Sequence, residues 1–566
     1  MPLPTIIIGA GVGGLTTGAL LSHDGHEVVV LEKSANLGGR TASMKFKNHV
    51  LDNGFHIMPF YKKSAIFTIL KNLGIESRLK VAKVDNIVFY ATTGFHIYPK
   101  GMVDLLRLSL IPFKSRVRLL KLLLPLAFSS IEKTELWDDV PLTKITNDLD
   151  ADTNAFFEAV CMLAFADTAD HISLGEFART IIRANPFKGG TSEFAYPDGG
   201  GYDSICHVLG DFILENNGII KTKQSVKKIV VENSKVTGVV VSDSLNSEKI
   251  LSTDSVVVSY PAYTALNQLF EKNVIDTKFV EKIDKLNKTT SVVEVHFALN
   301  SQIDTRQVVF PVGKDYVTKG IFFISNITPS VSPVGEHLII AGTPVSSADT
   351  EDSEKVKNIV TKMKEEISSI YPKFDSALLW ERPMAWKLVE SVVKEPGKVW
   401  KSKMPHQIPG IEGLFFVGDS TVSYGIGTDS AAHSSILCHP KIKSFLNSSI
   451  KQKALYIGIP VALAIGGASW YFSGDKTEES VSEPQAQGVN LSQADFDALT
   501  AKAQRVDSLE EQMEILEARS PPDLDYKKKF ESCEKGREVI KKNCDEIEEK
   551  RATLAKINAG LKKKYG

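Results

Sequence analysis

Three features of this 566-residue sequence predict an α/β fold carrying a helical extension. A strand–glycine turn–helix–strand pattern opens the chain. Long insertions of mixed helical and strand character then interrupt the domain that this pattern begins. Finally, a charge-free stretch at 454–472 separates that part from a heptad-patterned tail. Composition agrees with a globular chain: 43% of residues are hydrophobic and 24% charged. The net charge of -1 argues against a nucleic-acid partner. The five cysteines (Cys161, Cys206, Cys438, Cys533 and Cys544) form no CxxC pair and no zinc spacing, so neither a disulfide framework nor a metal is expected. "MPLPTIIIGAG" has no basic segment ahead of its apolar run, so no signal peptide is expected and the first half should fold in the cytoplasm.

The opening pattern is "TIIIGAGVGGLTTGALLSHDGHEVVVLEKS". Thr5–Ile8 is β-branched throughout, as suits a strand buried on both faces. Gly9, Gly11 and Gly14 then give G-x-G-x-x-G, with Gly13 inside it. Gly9 allows the tight turn, Gly11 lets the backbone approach a pyrophosphate, and Gly14 permits close helix–strand packing. The helix from about Val12 to His23 points its free N–H groups and positive dipole end at the phosphates. "HEVVVLE" is the second strand, and Glu32 at its end is placed to accept ribose hydroxyls, with Lys33 next to it. This is a Rossmann-like dinucleotide fingerprint. Its acid favours FAD or NAD over NADP.

The next residues decide between these two. "EKSANLGGRTAS" carries Gly38, Gly39 and Arg40, and "LDNGFH" follows with Asp52, Gly54 and His56. Here the chain resembles the flavin-containing amine oxidase and phytoene desaturase (carotenoid desaturase-isomerase) superfamily, with its glutathione-reductase-like βαβ domain. The resemblance implies FAD. It places Gly38, Gly39 and Arg40 along the pyrophosphate and ribityl side, and Asp52 and Gly54 near the isoalloxazine. Three later stretches resemble the family in order: "YPDGGGYDSICHVLGDF" with the strand pair after it, in which Val226 would contact adenine; "TDSVVVSYPA"; and "GIEGLFFVGDSTVSYGIGTDSAAHSS". In the last, Gly418 and Asp419 would meet the ribityl-pyrophosphate part. The helix starting at Gly427 would aim N–H groups at the flavin pyrimidine edge. One departure is Ile436, where glycine is common, which predicts looser packing of this closing helix. No second G-x-G-x-x-G appears, so no separate nicotinamide domain is expected.

The implied organisation is a discontinuous FAD-binding domain (1–55, 196–262 and 396–445) and a mixed α+β substrate and membrane-contacting domain (56–195 and 263–395). "GMVDLLRLSLIPFKSRVRLLKLLLPLAF" (101–128) mixes Arg107, Lys114, Arg116, Arg118 and Lys121 with ten leucines, and has no acid after Asp104. Basic and apolar together read as a segment lying on an anionic membrane; the plainer reading is a helix pair with solvated charges and core leucines. His56 is a candidate for facing substrate, or a hydrogen-bonded structural histidine. No catalytic carboxylate pair or nucleophile set is recognisable.

"ALYIGIPVALAIGGASWYF" (454–472) would span about 28 Å as a helix, close to a bilayer core. Lys441, Lys443, Lys451 and Lys453 precede it, Asp475, Glu478 and Glu479 follow it, and Trp470 and Tyr471 mark its far end. These features predict a single-pass transmembrane helix with the FAD domain cytoplasmic and the tail opposite. Residues 473–490 read as a polar linker. In 491–566, apolar residues recur every three or four positions (Phe496, Leu499, Ala503, Val506, Leu509, Met513, Leu516), and a second run follows "SPPD". This predicts a coiled-coil tail serving a homo-oligomer or a protein partner.

The resemblance then implies a membrane-bound FAD oxidoreductase acting on a lipophilic polyene or isoprenoid, such as a carotenoid precursor. It would desaturate, isomerise or saturate that substrate, with a quinone or oxygen as electron acceptor. The alternatives are an amine or protoporphyrinogen-type oxidase, and a flavin-bearing scaffold whose tail is the working part.

Overall fold

The first strand, Thr5–Ile8, is buried along its whole length, as an unbroken β-branched run requires in a central parallel strand. It pairs in parallel with Val28–Leu31 on one side and Val256–Val258 on the other. Ile219–Lys221 and Leu414–Phe416 complete a five-stranded parallel sheet. Four distant pieces of chain therefore build one sheet. The helix Val12–His23 packs on this sheet and on the helix Ser204–Glu215. A three-stranded antiparallel meander, Ser225–Glu232, Lys235–Ser242 and Glu248–Ser252, follows the second of these helices.

This computed structural model describes residues 3–471 apart from 186, 188–191 and 314; for residues 102 and 450–471 it describes the backbone alone. The chain divides into Met1–Gly467 and Ala468–Gly566, and nearly all of the second part lies outside the described residues. The predicted linker and coiled-coil tail lie there too. Gly427–Tyr471 is helical throughout, but the side chains of the predicted 454–472 span fall outside the described part. Among the described residues, no helix is long and apolar enough to cross a membrane.

The insertions build a mixed seven-stranded sheet in the order Leu378–Trp386, Ser291–Leu299, His337–Val345, Gly320–Phe322, Val308–Pro311, Ile87–Ala91, Gly94–Ile97. Its two faces differ. Val293, Val295, Phe297, Ile339 and Ala341 pack on one face beneath the helix Ser353–Ile370, forming an apolar core. The other face carries Glu294 and His296, both fully buried, against the hairpin Ser43–Phe46 and His49–Asp52. A surface hollow of about 580 Å³ lined by Val356, Val360, Lys364 and Pro383 lies on the apolar-core side, away from this hairpin.

The stretch 101–128 forms two helices, Met102–Arg107 and Phe113–Ala127. Leu105, Leu108, Leu119, Leu123 and Leu126 are core, as the plainer reading held. Arg116 is spent inside the fold, its guanidinium donating to Ile111 O and Leu106 O. Val103, Phe113, Leu124 and Phe128 remain exposed beside Arg107, Lys114, Arg118 and Lys121, and Phe187 stacks on Phe128.

Candidate active site

The glycine turn is closed by sterics that tolerate nothing larger. A Cβ on Gly14 would sit 2.1 Å from Gly9 O, and one on Gly13 would be 3.2 Å from Gly418 Cα. Gly9 itself has φ +100°, a conformation glycine adopts readily. Gly11 caps the helix without any side-chain hydrogen bond, and a Cβ there would meet only Gly38 O, at 3.8 Å. The turn is therefore open on the Gly11 side and closed on the Gly14 side, a concave cradle with helix N–H groups at its mouth. The Glu32 carboxylate is fixed at that mouth by Ala10 N and Ser34 N, each 2.8 Å away. Lys33 points into solvent. Val226 is half-buried in the meander, two residues after Gln224, whose N–H donates to Glu32 O.

The second and last sequence motifs meet at Arg40. Its guanidinium clamps Asp419 through both nitrogens (2.8 and 2.6 Å) and also donates to Val389 O. Asp419 further accepts from Ser391 N and Ser391 Oγ. Despite burial, which alone would raise it, the Asp419 pKa lies well below the ordinary carboxylate range because of Arg40 and these donors. Gly38 and Gly39 both have positive φ and turn the chain between the cradle and Arg40. Gly418 (φ +116°) donates to Ser434 Oγ.

The closing helix packs tightly, contrary to the looseness that Ile436 predicted. Ser435 Oγ donates to Gly13 O at 2.9 Å, and Ala432, Cys438 and Ile442 are fully buried. Ile436 is only half-buried beside this contact, so no glycine is needed there. The Gly427 N–H at the helix start donates to Glu390 Oε1 (2.7 Å), and Asp429 pairs with Arg183.

Asp52 is enclosed rather than open. Ser43 Oγ, Tyr202 N and the Tyr196 hydroxyl all donate to it, and burial raises its pKa. It ties the hairpin to the turn Gly199–Tyr202. His56 stacks on Tyr202 (4.7 Å, 21°), donates to Asn53 O and is held neutral by burial, which lowers its pKa. Gly54 has φ +106° and its N–H donates to Glu294 Oε1 at 3.1 Å.

Several residues here were not singled out from sequence. Glu294 is a single acid within the apolar run "SVVEVHFALN", a visible signal. Lys403, fully enclosed, donates to Asp419 O and Ser423 Oγ; burial and the nearby Lys394 cation push its pKa down to about 7. Tyr196, Tyr202 and Ser391 carry no distinguishing local pattern.

A nucleotide cradle and an Arg–Asp clamp thus bring together residues near both ends of a discontinuous sheet domain, the arrangement of a dinucleotide-dependent oxidoreductase. Residues 12–438 match the family model "Flavin containing amine oxidoreductase", and the chain belongs to that family. It is an FAD-dependent oxidoreductase. It is 24% identical over 468 residues to a 15-cis-phytoene desaturase of Glycine max, covering 77% of this chain and 79% of that one. It is 23% identical over 520 residues to a prolycopene isomerase of Daucus carota (80% and 81% covered). The crystal structure of an oxidoreductase from Methanosarcina mazei shares the fold, with TM-score 0.63 at 21% identity, covering 77% of this chain and 99% of that one.

Proposed function

We propose that this oxidoreductase desaturates a lipophilic polyene or isoprenoid of the carotenoid-precursor type, drawn from a membrane; isomerisation or saturation would use the same frame. The observation that carries the reading is the face of Met102–Arg107 and Phe113–Ala127. Exposed Val103, Phe113, Leu124 and Phe128 stand there among Arg107, Lys114, Arg118 and Lys121, an apolar surface ringed by cations suited to an anionic bilayer. The similarity to phytoene desaturase and prolycopene isomerase supports the substrate class. The sequence adds a tether at 454–472, with the enzyme cytoplasmic and the tail 491–566 beyond the membrane as an oligomerising or partner-binding module.

FAD supplies a two-electron acceptor, reoxidised by a quinone or oxygen. In this reading Gly9, Gly11, Gly13 and Gly14 cradle its pyrophosphate, Glu32 accepts from its ribose, and Val226 lies against its adenine. Arg40 and Asp419, each orienting the other, hold the ribityl-phosphate region with Gly38, Gly39 and Gly418. Asp52 and Gly54 border the ring, and the Gly427 helix start favours negative charge there. The protein orients the substrate and excludes water. The test is expression in membranes, lipid extraction and mass spectrometry. A hydrophobic metabolite changed in mass by two hydrogens, lost when Asp419 is replaced, is the expected result.

A second reading, amine or porphyrinogen oxidation, is favoured by the aromatic pair Tyr196–Tyr202, with ring centroids 5.9 Å apart beside His56. It requires turnover of a soluble amine or porphyrinogen by protein lacking residues 450–566.

A further inference from the structure

Glu294 is fully buried on the polar face of the seven-stranded sheet. One oxygen, Oε1, is held by two donors, Trp386 Nε1 at 2.7 Å and Gly54 N at 3.1 Å, which fix the plane of the carboxyl group. The other, Oε2, is shut from solvent and meets no donor or acceptor among the described residues. Other buried acids are treated differently. Asp419, Asp429, Glu176, Asp138 and Glu390 each face an arginine or lysine. Glu32 and Glu366 have both oxygens filled by backbone N–H groups. The charged and titratable groups around Glu294 are Asp52 and His56 across from it, His296 two residues along its strand, and Arg382 on the adjoining strand. None of these donates to Oε2.

A carboxylate with one bare oxygen and no cation is costly in full burial, so at rest the proton belongs on Oε2. Burial pushes the Glu294 pKa up to about 8, and the Asp52 charge adds to the rise. The carboxyl is thus rigidly aimed, has one unused oxygen, and hangs from Gly54 in the same Asp-x-Gly loop that the proposed function sets beside the flavin ring. Polar atoms left this way in a native fold call for an explanation, and proton exchange with a ligand supplies one.

We propose that Glu294 is the proton-exchanging residue of this oxidoreductase, its Oε2 taking the proton that substrate oxidation releases. The inference rests on the functional reading above. When a saturated C–C unit becomes a double bond, one C–H bond departs as hydride, carrying two electrons to the FAD of the family's chemistry. The neighbouring C–H bond breaks, its electron pair becomes the new π bond, and its proton joins Oε2 of the ionised carboxylate, the form that has first given up its resting proton and that gains population as pH approaches 8. The substrate is oxidised by two electrons, the cofactor reduced by two, and Glu294 leaves the step as the neutral acid. A raised basicity suits this task, since a base works best with its pKa near the operating pH.

The test needs no substrate. The flavin midpoint potential of the full-chain holoprotein in detergent is measured by spectroelectrochemistry from about pH 6 to about pH 10, bracketing the acid's pKa. Placing electrons on the flavin raises the pKa of a neighbouring acid, so above about pH 8 reduction should draw in one further proton and the potential should fall more steeply with pH. In Glu294→Gln, whose amide oxygen still accepts from Gly54 and Trp386, that steepening disappears while FAD content is unchanged. The wild-type reduced-minus-oxidised infrared spectrum above this pH should show a carboxylic acid carbonyl band appear, and it decides the matter alone if the variant loses FAD. A holoprotein with one slope throughout and no such band, or a steepening that survives in the variant, overturns the role of Glu294 and leaves the oxidoreductase reading standing. A wild-type protein that binds no FAD overturns the reading itself.

Discussion

Replacing Arg40 by Met and Asp419 by Asn, singly and together, probes the contact that joins the second motif to the last. Asp419 is 3% exposed and accepts four hydrogen bonds, two from Arg40 and two from Ser391. Arg40 is 35% exposed at its side chain. The two losses are therefore unequal. Arg40→Met strands a charge that water cannot reach, and should cost about 3–5 kcal/mol of unfolding free energy, the range for breaking a buried pair. Asp419→Asn strands a guanidinium that solvent can partly rehydrate, so its cost should be smaller, about 1–3 kcal/mol. The double variant should lose less than the sum, because each single change already breaks the pair. The pH sign follows from the depressed pKa of Asp419. Its contribution is fully present above the ordinary carboxylate value of 3.8 and is lost as pH falls below it, so the gap between wild type and Arg40→Met should narrow in acid. Urea unfolding of the FAD-free protein, followed by tryptophan fluorescence, measures each difference. An Arg40→Met variant that loses under about 1 kcal/mol, or loses no more than Asp419→Asn, refutes the reasoning.

Gly14→Ala places a methyl group 2.1 Å from Gly9 O, so the helix must shift off the strand. The cost should be about 1–3 kcal/mol, with bound FAD lost as judged by visible absorbance. Glu294→Gln should alter stability with a definite pH sign. The folded-state pKa of about 8 exceeds the ordinary 4.5, so folding takes up a proton between these values and wild-type stability falls as pH rises through that window. The variant should gain on wild type by up to about 4–5 kcal/mol between pH 4 and pH 9 in chemical denaturation, and an unchanged difference would count against burial of a neutral acid. Phe113→Asp with Phe128→Asp should weaken co-sedimentation of protein lacking residues 450–566 with anionic liposomes at least several-fold, and added salt should weaken the wild-type interaction too. Equal sedimentation of variant and parent removes the membrane-facing role of this surface.

The cofactor end of the molecule was largely legible in sequence because its demands are local. Thr5–Ile8, the glycine turn and Glu32 lie within thirty-two residues, and each residue type follows from a backbone constraint. Arg40 and Asp419 were both marked, but not that they clamp each other, since nothing in either motif encodes a partner 379 positions away. Asp52 was marked too, but its motif does not show that Tyr196, Tyr202 and Ser43 enclose its carboxyl group and staple the hairpin to a distant turn. Arg116 was grouped with surface cations because helical pattern alone does not show that Ile111 O and Leu106 O lie within its reach. Glu294 was overlooked because a strand reading attends to apolar alternation, and the acid that breaks such a run is the residue most in need of a reason.

The five-stranded parallel sheet has a consequence for how the protein is made. Its central strand ends at Ile8 and its last strand begins at Leu414, roughly four hundred residues later. At translation speeds of about 5–20 residues per second, the first strand leaves the ribosome some 20–80 s before its sheet can be finished. From the synthesis of Val258 to that of Leu414 the edge of Val256–Val258 lacks its neighbour, and the Gly13 carbonyl waits longer still, for Ser435. The nascent chain thus carries an unfinished sheet edge over a long stretch of its synthesis, a surface open to wrong pairing until the last strand arrives. FAD capture waits on Asp419 and Ser435, so chains terminated before these residues should emerge colourless whatever their N-terminal motifs.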